Sequence, residues 1–122
     1  MFWAFLAFFS AIFSLSPLGY HEVMASPARI PDSEIESALH NLPGWRVLDG
    51  KLHREYRFSD FVQAFEFMAA GALRAEAMNH HPDWSNVYNR VTIGLVTHDA
   101  GGITIDDLRL ARQFEEIARK LQ

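Results

Sequence analysis

The chain contains no cysteine, which removes disulfides, thiolate nucleophiles and sulfur-rich zinc sites from consideration. Charge of one sign is scarce: 11 Lys and Arg face 15 Asp and Glu, a formal net charge of −4. The basic footprint that nucleic-acid phosphates require is therefore missing, and no nucleic-acid partner is expected. Long apolar runs are missing as well. Residues Met1 to Tyr20 hold five of the ten Phe and no Lys, Arg, Asp or Glu. However, Ser10, Ser14, Ser16, Pro17 and Gly19 interrupt them before they reach the roughly 20 apolar residues of a membrane helix. The segment also lacks the basic start of a secretory signal and the arginines of a transit peptide.

What remains is enough for one core. A chain of 122 residues folds as one domain, here read as an apolar extension and leader over residues 1–30, outside the fold, followed by a domain over residues 31–122. Met24 opens an ordinary hydrophilic start, so the first segment reads as an over-long start or dispensable extension. A signal or anchor is the alternative; the domain itself is expected in the cytoplasm, without stable membrane association.

Periodicity divides the domain into seven elements. Ser33 to Leu42 reads as a helix with Ser33 and Glu36 as a capping box and Ile35, Ala38, Leu39 and Leu42 as its apolar stripe, stopped by Pro43-Gly44. Trp45 to Leu48 and Leu52 to Phe58 read as strands joined by a hairpin at Asp49-Gly50-Lys51, with Arg54, Tyr56 and Phe58 on one face. Ser59 or Asp60 caps a second helix whose apolar positions are Phe61, Ala64, Phe65, Met68, Ala72 and Leu73. That stripe is expected in the core, with the small-residue run Ala69-Ala70-Gly71-Ala72 as the sign of a helix partner in the opposite reading. Asp83 to Val87 and Val91 to His98 form a second strand pair around Tyr88-Asn89. Thr104 and Asp107 then open a third helix with Leu108, Ala111, Phe114, Ile117, Ala118 and Leu121 inward. The order is αββαββα, an α+β fold with a four-stranded antiparallel sheet covered by helices on one face.

The chemistry concentrates between Glu76 and Asp107. His80 and His81 are adjacent, and the residue before Pro82 is pushed out of the helical region, so the pair stands at a fixed corner where the second helix ends. His98 ends a strand, on its less bulky face with Thr92, Gly94 and Val96. Two rigid elements can thus aim imidazoles at one pocket, and imidazole is the side chain best suited to proton transfer near neutrality. A metal site from the same three residues is the weaker alternative, because neighbours on a bent corner point apart. His21, His40 and His53 read as ordinary surface or core residues.

The run Glu76-Ala77-Met78-Asn79-His80-His81-Pro82-Asp83-Trp84-Ser85-Asn86-Val87-Tyr88-Asn89-Arg90-Val91 is followed by Thr97-His98 and then Asp107. It closely resembles the signature of the pterin-4a-carbinolamine dehydratase (4a-hydroxytetrahydrobiopterin dehydratase) family. The likeness extends through Pro43-Gly44-Trp45 and the last helix, covering nearly all of Ser33 to Leu121. The resemblance implies dehydration of a 4a-hydroxytetrahydropterin to quinonoid dihydropterin, in tetrahydrobiopterin recycling for aromatic amino acid hydroxylation, with no cofactor and no metal. It implies His80 and His98 as the acid and base pair, His81 as a pterin-binding group, and Glu76 and Asp107 as carboxylates that orient the imidazoles. Asn79, Pro82, Trp84, Val96, Thr97 and Asp99 match positions that line the substrate. Asn79 and Asp106 depart from the family pattern, which often has an acidic residue and an Arg there. The resemblance also implies a homodimer or homotetramer. It leaves two other functions open: a protein-binding module of the transcription-factor dimerisation type, and a related role in pterin or molybdopterin metabolism.

Overall fold

The structure, a computed structural model, describes residues 26–122. The expectations for the apolar first segment and for His21 lie outside the described residues. Four strands and three helices follow one another as α1 (Asp32–Leu39), β1 (Arg46–Leu48), β2 (Lys51–Arg57), α2 (Phe61–Met78), β3 (Asp83–Val87), β4 (Arg90–Leu95) and α3 (Ile105–Leu121). The sheet order is β1-β2-β4-β3 and every pairing is antiparallel. This is the α+β fold that the periodicity predicts.

Local chemistry sets most of the boundaries. Asp49 and Gly50 both take positive φ, at 52° and 76°, while Leu48 pairs with Lys51, so the first hairpin closes through a two-residue turn of the kind Asp-Gly favours. Asp60 caps α2 by accepting from the Gln63 N–H at 2.8 Å. The capping box expected on α1 does not form. Pro31 occupies the N-cap with φ −63° and ψ 151° and no side-chain cap bond, so its ring fixes the entry angle and Ser33 lies already inside the first turn. After Leu39 the chain tightens, with Asn41 N donating to Ala38 O and Leu42 N to Leu39 O, both at 3.1 Å, which drops Leu42 into the core.

The core lies between one face of the sheet and the helices. Strands β2 and β4 contribute Leu52, Tyr56, Val91, Ile93 and Leu95; α3 contributes Leu108, Leu110, Ala111, Phe114, Ile117 and Ala118. Ile30 packs against this core and donates its N–H to Ile103 O at 3.0 Å. One polar knot ties the layers together: Glu115 Oε1 accepts from Trp45 Nε1 at 3.0 Å, from Arg54 Nε at 3.4 Å and from the Tyr56 hydroxyl. Arg54 also lies over the Tyr56 ring, 4.2 Å from its centroid.

Helix α2 turns a different face inward from the one expected. Of the predicted stripe Ala64 is buried and Met68 packs against the core, but Phe61, Phe65, Ala72 and Leu73 are exposed, Leu73 by 75%, and Phe67, Gly71 and Ala75 take the other buried positions. The helix is apolar nearly all round, so periodicity alone cannot select a face. Close approach selects it: a Cβ on Gly71 would stand 2.5 Å from Phe114 Cε1, so the small residues admit α3. Gly71 therefore meets this chain's own third helix.

Candidate active site

The corner after α2 is built by the backbone. Asn79 adopts the left-handed conformation, φ 51° and ψ 40°, one of the few non-glycine residues that does so readily. Its N–H donates to Glu76 O, and that of His80 to Ala75 O, both at 3.0 Å. The reversal sends the two following imidazoles to different environments. His80 turns inward, its side chain 12% exposed; His81 stays outside, 3.5 Å from Glu76 Oε1.

His80 meets Asp107, which is fully buried. The His80 Nε2 to Asp107 Oδ1 distance is 2.5 Å, while Oδ2 accepts from Thr97 Oγ1 at 2.9 Å and from Thr104 N at 2.8 Å. Because the single Thr97 hydroxyl proton goes to Asp107, the Thr97–Thr104 contact of 2.7 Å must use the Thr104 proton. Thr104 Oγ1 in turn accepts from the Asp106 N–H at 3.3 Å. A carboxylate removed from water costs several kcal/mol, and three charge-assisted bonds offset that. One residue thus closes the capping box of α3 and fixes the His80 ring. Thr104 was legible in the sequence as a cap, but its link through Thr97 to the histidine was not.

His98 differs from its expected place. Strand β4 ends at Leu95, and His98 opens a 3₁₀ turn, His98–Ala100. Thr97 pairs back on Gly102, with Thr97 N donating to Gly102 O at 3.0 Å, and Gly101 at φ 71° closes the turn, a conformation glycine adopts at no steric cost. The imidazole is 78% exposed, with Nε2 4.0 Å from Asp83 Oδ2. Asp83 also accepts from Lys51 Nζ at 2.8 Å. That hydrogen bond, more than any other influence, holds the Asp83 carboxyl below its ordinary pKa.

These elements enclose a cleft of about 260 Å³ lined by Asn79, His80, His81, Val96, Thr97, His98 and Asp99. All three histidines reach it. Asp107 stands behind His80, and Glu76 is placed through His81. Pro82 and Trp84 are not among the lining residues: Pro82 shapes the corner, and the Trp84 ring packs 5.9 Å from Phe114 on the core side of the sheet. The sequence could not separate a pocket Trp from a core Trp, because β3 alternation puts it on the same face as Ile93, its register partner.

Chemically, the cleft offers an imidazole held by a sealed carboxylate, a second facing water, and a third at the rim. Such groups can donate and accept protons. Among the described residues no group of three or more His, Asp or Glu side chains is arranged to hold a metal ion, and no helix is long and apolar enough to cross a membrane.

Comparison with known proteins gives the family. The sequence model of the family described as Pterin 4 alpha carbinolamine dehydratase matches residues 28–117. A relative from Solibacter usitatus named after this dehydratase is 59% identical over 90 residues, spanning 74% of this chain and 95% of its own. One from Synechococcus sp. bearing the same name is 52% identical over 88 residues, spanning 72% and 95%. The crystal structure of a transcriptional coactivator/pterin dehydratase from Brucella melitensis superposes with a TM-score of 0.71 at 46% identity, covering 74% of this chain and 98% of that one. With the matched segment containing every residue that lines the histidine cleft, the chain belongs to the pterin-4-alpha-carbinolamine dehydratase family.

Proposed function

We propose that the domain dehydrates 4a-hydroxytetrahydropterins to quinonoid dihydropterin and water, with tetrahydrobiopterin recycling for aromatic amino acid hydroxylation as its setting and the cytoplasm as its place. The observation that carries this reading is the convergence of His80, His81 and His98 on one cleft, with His80 backed by the buried Asp107. The reaction breaks the C4a–O bond, releases the oxygen as water after protonation, and removes the proton from N5. His80 and His98 serve as the acid and base pair, His81 binds the pterin with Glu76 orienting its ring, and Asn79, Val96, Thr97 and Asp99 form the walls. The small volume suits a bicyclic ring better than an extended chain. Pro82 contributes by fixing the corner and Trp84 by supporting β3 from the core. No cofactor takes part in the proposed step.

The test is kinetic. Purified protein mixed with freshly generated 4a-hydroxytetrahydrobiopterin should speed dihydropterin formation well beyond the spontaneous rate; an unchanged rate would remove the proposal.

A second reading is favoured by one observation: Phe61, Val62, Phe65 and Leu73 leave an apolar strip exposed on α2, larger than scattered surface hydrophobics. It supports self-association as a homodimer or homotetramer, or a protein-binding role; the Brucella melitensis relative is itself called a transcriptional coactivator as well as a pterin dehydratase. A His80→Ala/His98→Ala double variant that still rescued a deletion phenotype would favour the binding role over catalysis.

A further inference from the structure

Beside the cleft, on the sheet face turned away from the helices, one side chain ties three strands together. Lys51 opens β2, Gly94 lies on β4 as the register partner of Asp83, and Asp83 opens β3. A Cβ on Gly94 would stand 3.2 Å from Lys51 Cδ and 3.9 Å from Lys51 Cβ. The lysine stem therefore lies against β4 at the only position of that strand with no side chain. Its Nζ then reaches Asp83 Oδ2 at 2.8 Å, and the same oxygen lies 4.0 Å from His98 Nε2. His80 has its carboxylate partner sealed in the core; His98 faces one held in place by a lysine at the surface.

We infer that Asp83 is a positioning residue for His98, and that Lys51, lying over Gly94, fixes Asp83 in turn. The inference rests on reading the cleft as a dehydratase site. His98 sits on a short turn and is mostly exposed, so nothing in its own packing stops the ring from rotating away. A carboxylate anchored on the β3 side draws the ring N–H toward it and holds the imidazole over the cleft mouth. Because the pair is exposed and solvent-screened, its effect is modest and depends on salt.

The deciding experiment is the His98 side-chain rotamer, read from three-bond couplings about χ1 in labelled full-length protein. The native chain should show one dominant rotamer, and Asp83→Asn and Lys51→Met should both average it, whereas Asp83→Glu should restore it. The control Glu116→Gln, which breaks the exposed Lys120–Glu116 pair on α3, should leave it unchanged. In the dehydration assay, Asp83→Asn should lower kcat roughly threefold to tenfold with KM nearly unchanged. Native kcat should also fall toward that of the variant at about 1 M salt. A rotamer already averaged in the native chain, or one insensitive to Asp83→Asn, overturns the inference. The rotamer does not depend on turnover, so a chain with no dehydratase activity but with the predicted coupling change would sink the proposed reaction and leave the positioning role standing.

Discussion

Asp107 carries two duties on two oxygens, and a single substitution separates them. Asn in its place keeps the volume and one acceptor for the Thr104 N–H, but it puts an amide where a second carboxylate oxygen had been. Asp107→Asn is expected to lower dehydration at least about tenfold through a misdirected His80 ring, with a smaller loss in thermal midpoint. Equal loss of fold and rate, measured by circular dichroism beside the assay, would mean that the residue acts only as a cap. A second prediction concerns Tyr56. Burial first, and then its hydrogen bond to Glu115, pushes the phenol above its ordinary value of 10.0, so the native state holds its proton where the unfolded chain releases it. The associated stability is complete below about pH 10 and is lost as the pH rises beyond that. The gap between the denaturant midpoints of native protein and Tyr56→Phe should therefore stay constant up to about pH 10 and narrow above it; a gap still constant at about pH 11 would contradict the assignment.

At the level of elements, the approach of α2 to α3 depends on Gly71. Alanine favours a helix by about 1 kcal/mol over glycine, yet a methyl group here would meet the Phe114 ring at 2.5 Å, and overpacking costs typically about 1–3 kcal/mol. Gly71→Ala is expected to destabilise by roughly 1 kcal/mol, and by less in a Phe114→Leu background. A stabilised Gly71→Ala in chemical denaturation would show that the helices stand further apart. The same element marks the limit of what the sequence disclosed. Turn and cap chemistry was legible, since Asp49-Gly50, Asp60 and the Thr104–Asp107 box depend on neighbours in the chain, and both strand pairs followed from alternation. The inward face of α2 was not, because both sides of that helix are apolar and only the bulk of Phe114 on another element decides between them. His98 lines the cleft from a 3₁₀ turn and not from the strand that alternation predicts, since the bridge from Thr97 to Gly102 is a pairing across a turn. The Lys51–Asp83 pair was missed for a similar reason: its partners are brought together across β4 at a glycine.

For the whole molecule, the sheet and helices bring the α2 corner and the turn after β4 to one small cleft. The uncovered strip on α2 shares no residue with the cleft, so substitutions on the strip should leave the cleft intact. Phe65→Glu with Leu73→Glu is expected to leave the fold intact and to shift the particle toward monomer in size-exclusion with light scattering. An unchanged mass would exclude this face from any assembly. The most direct check of the account is the enzymatic dehydration rate of His80→Ala, His98→Ala and the double variant against the native chain. Each single change should remove most of the acceleration over the spontaneous reaction, and the double should lose little more, because paired proton donors and acceptors act as a unit. Single variants that retain the native rate would contradict it.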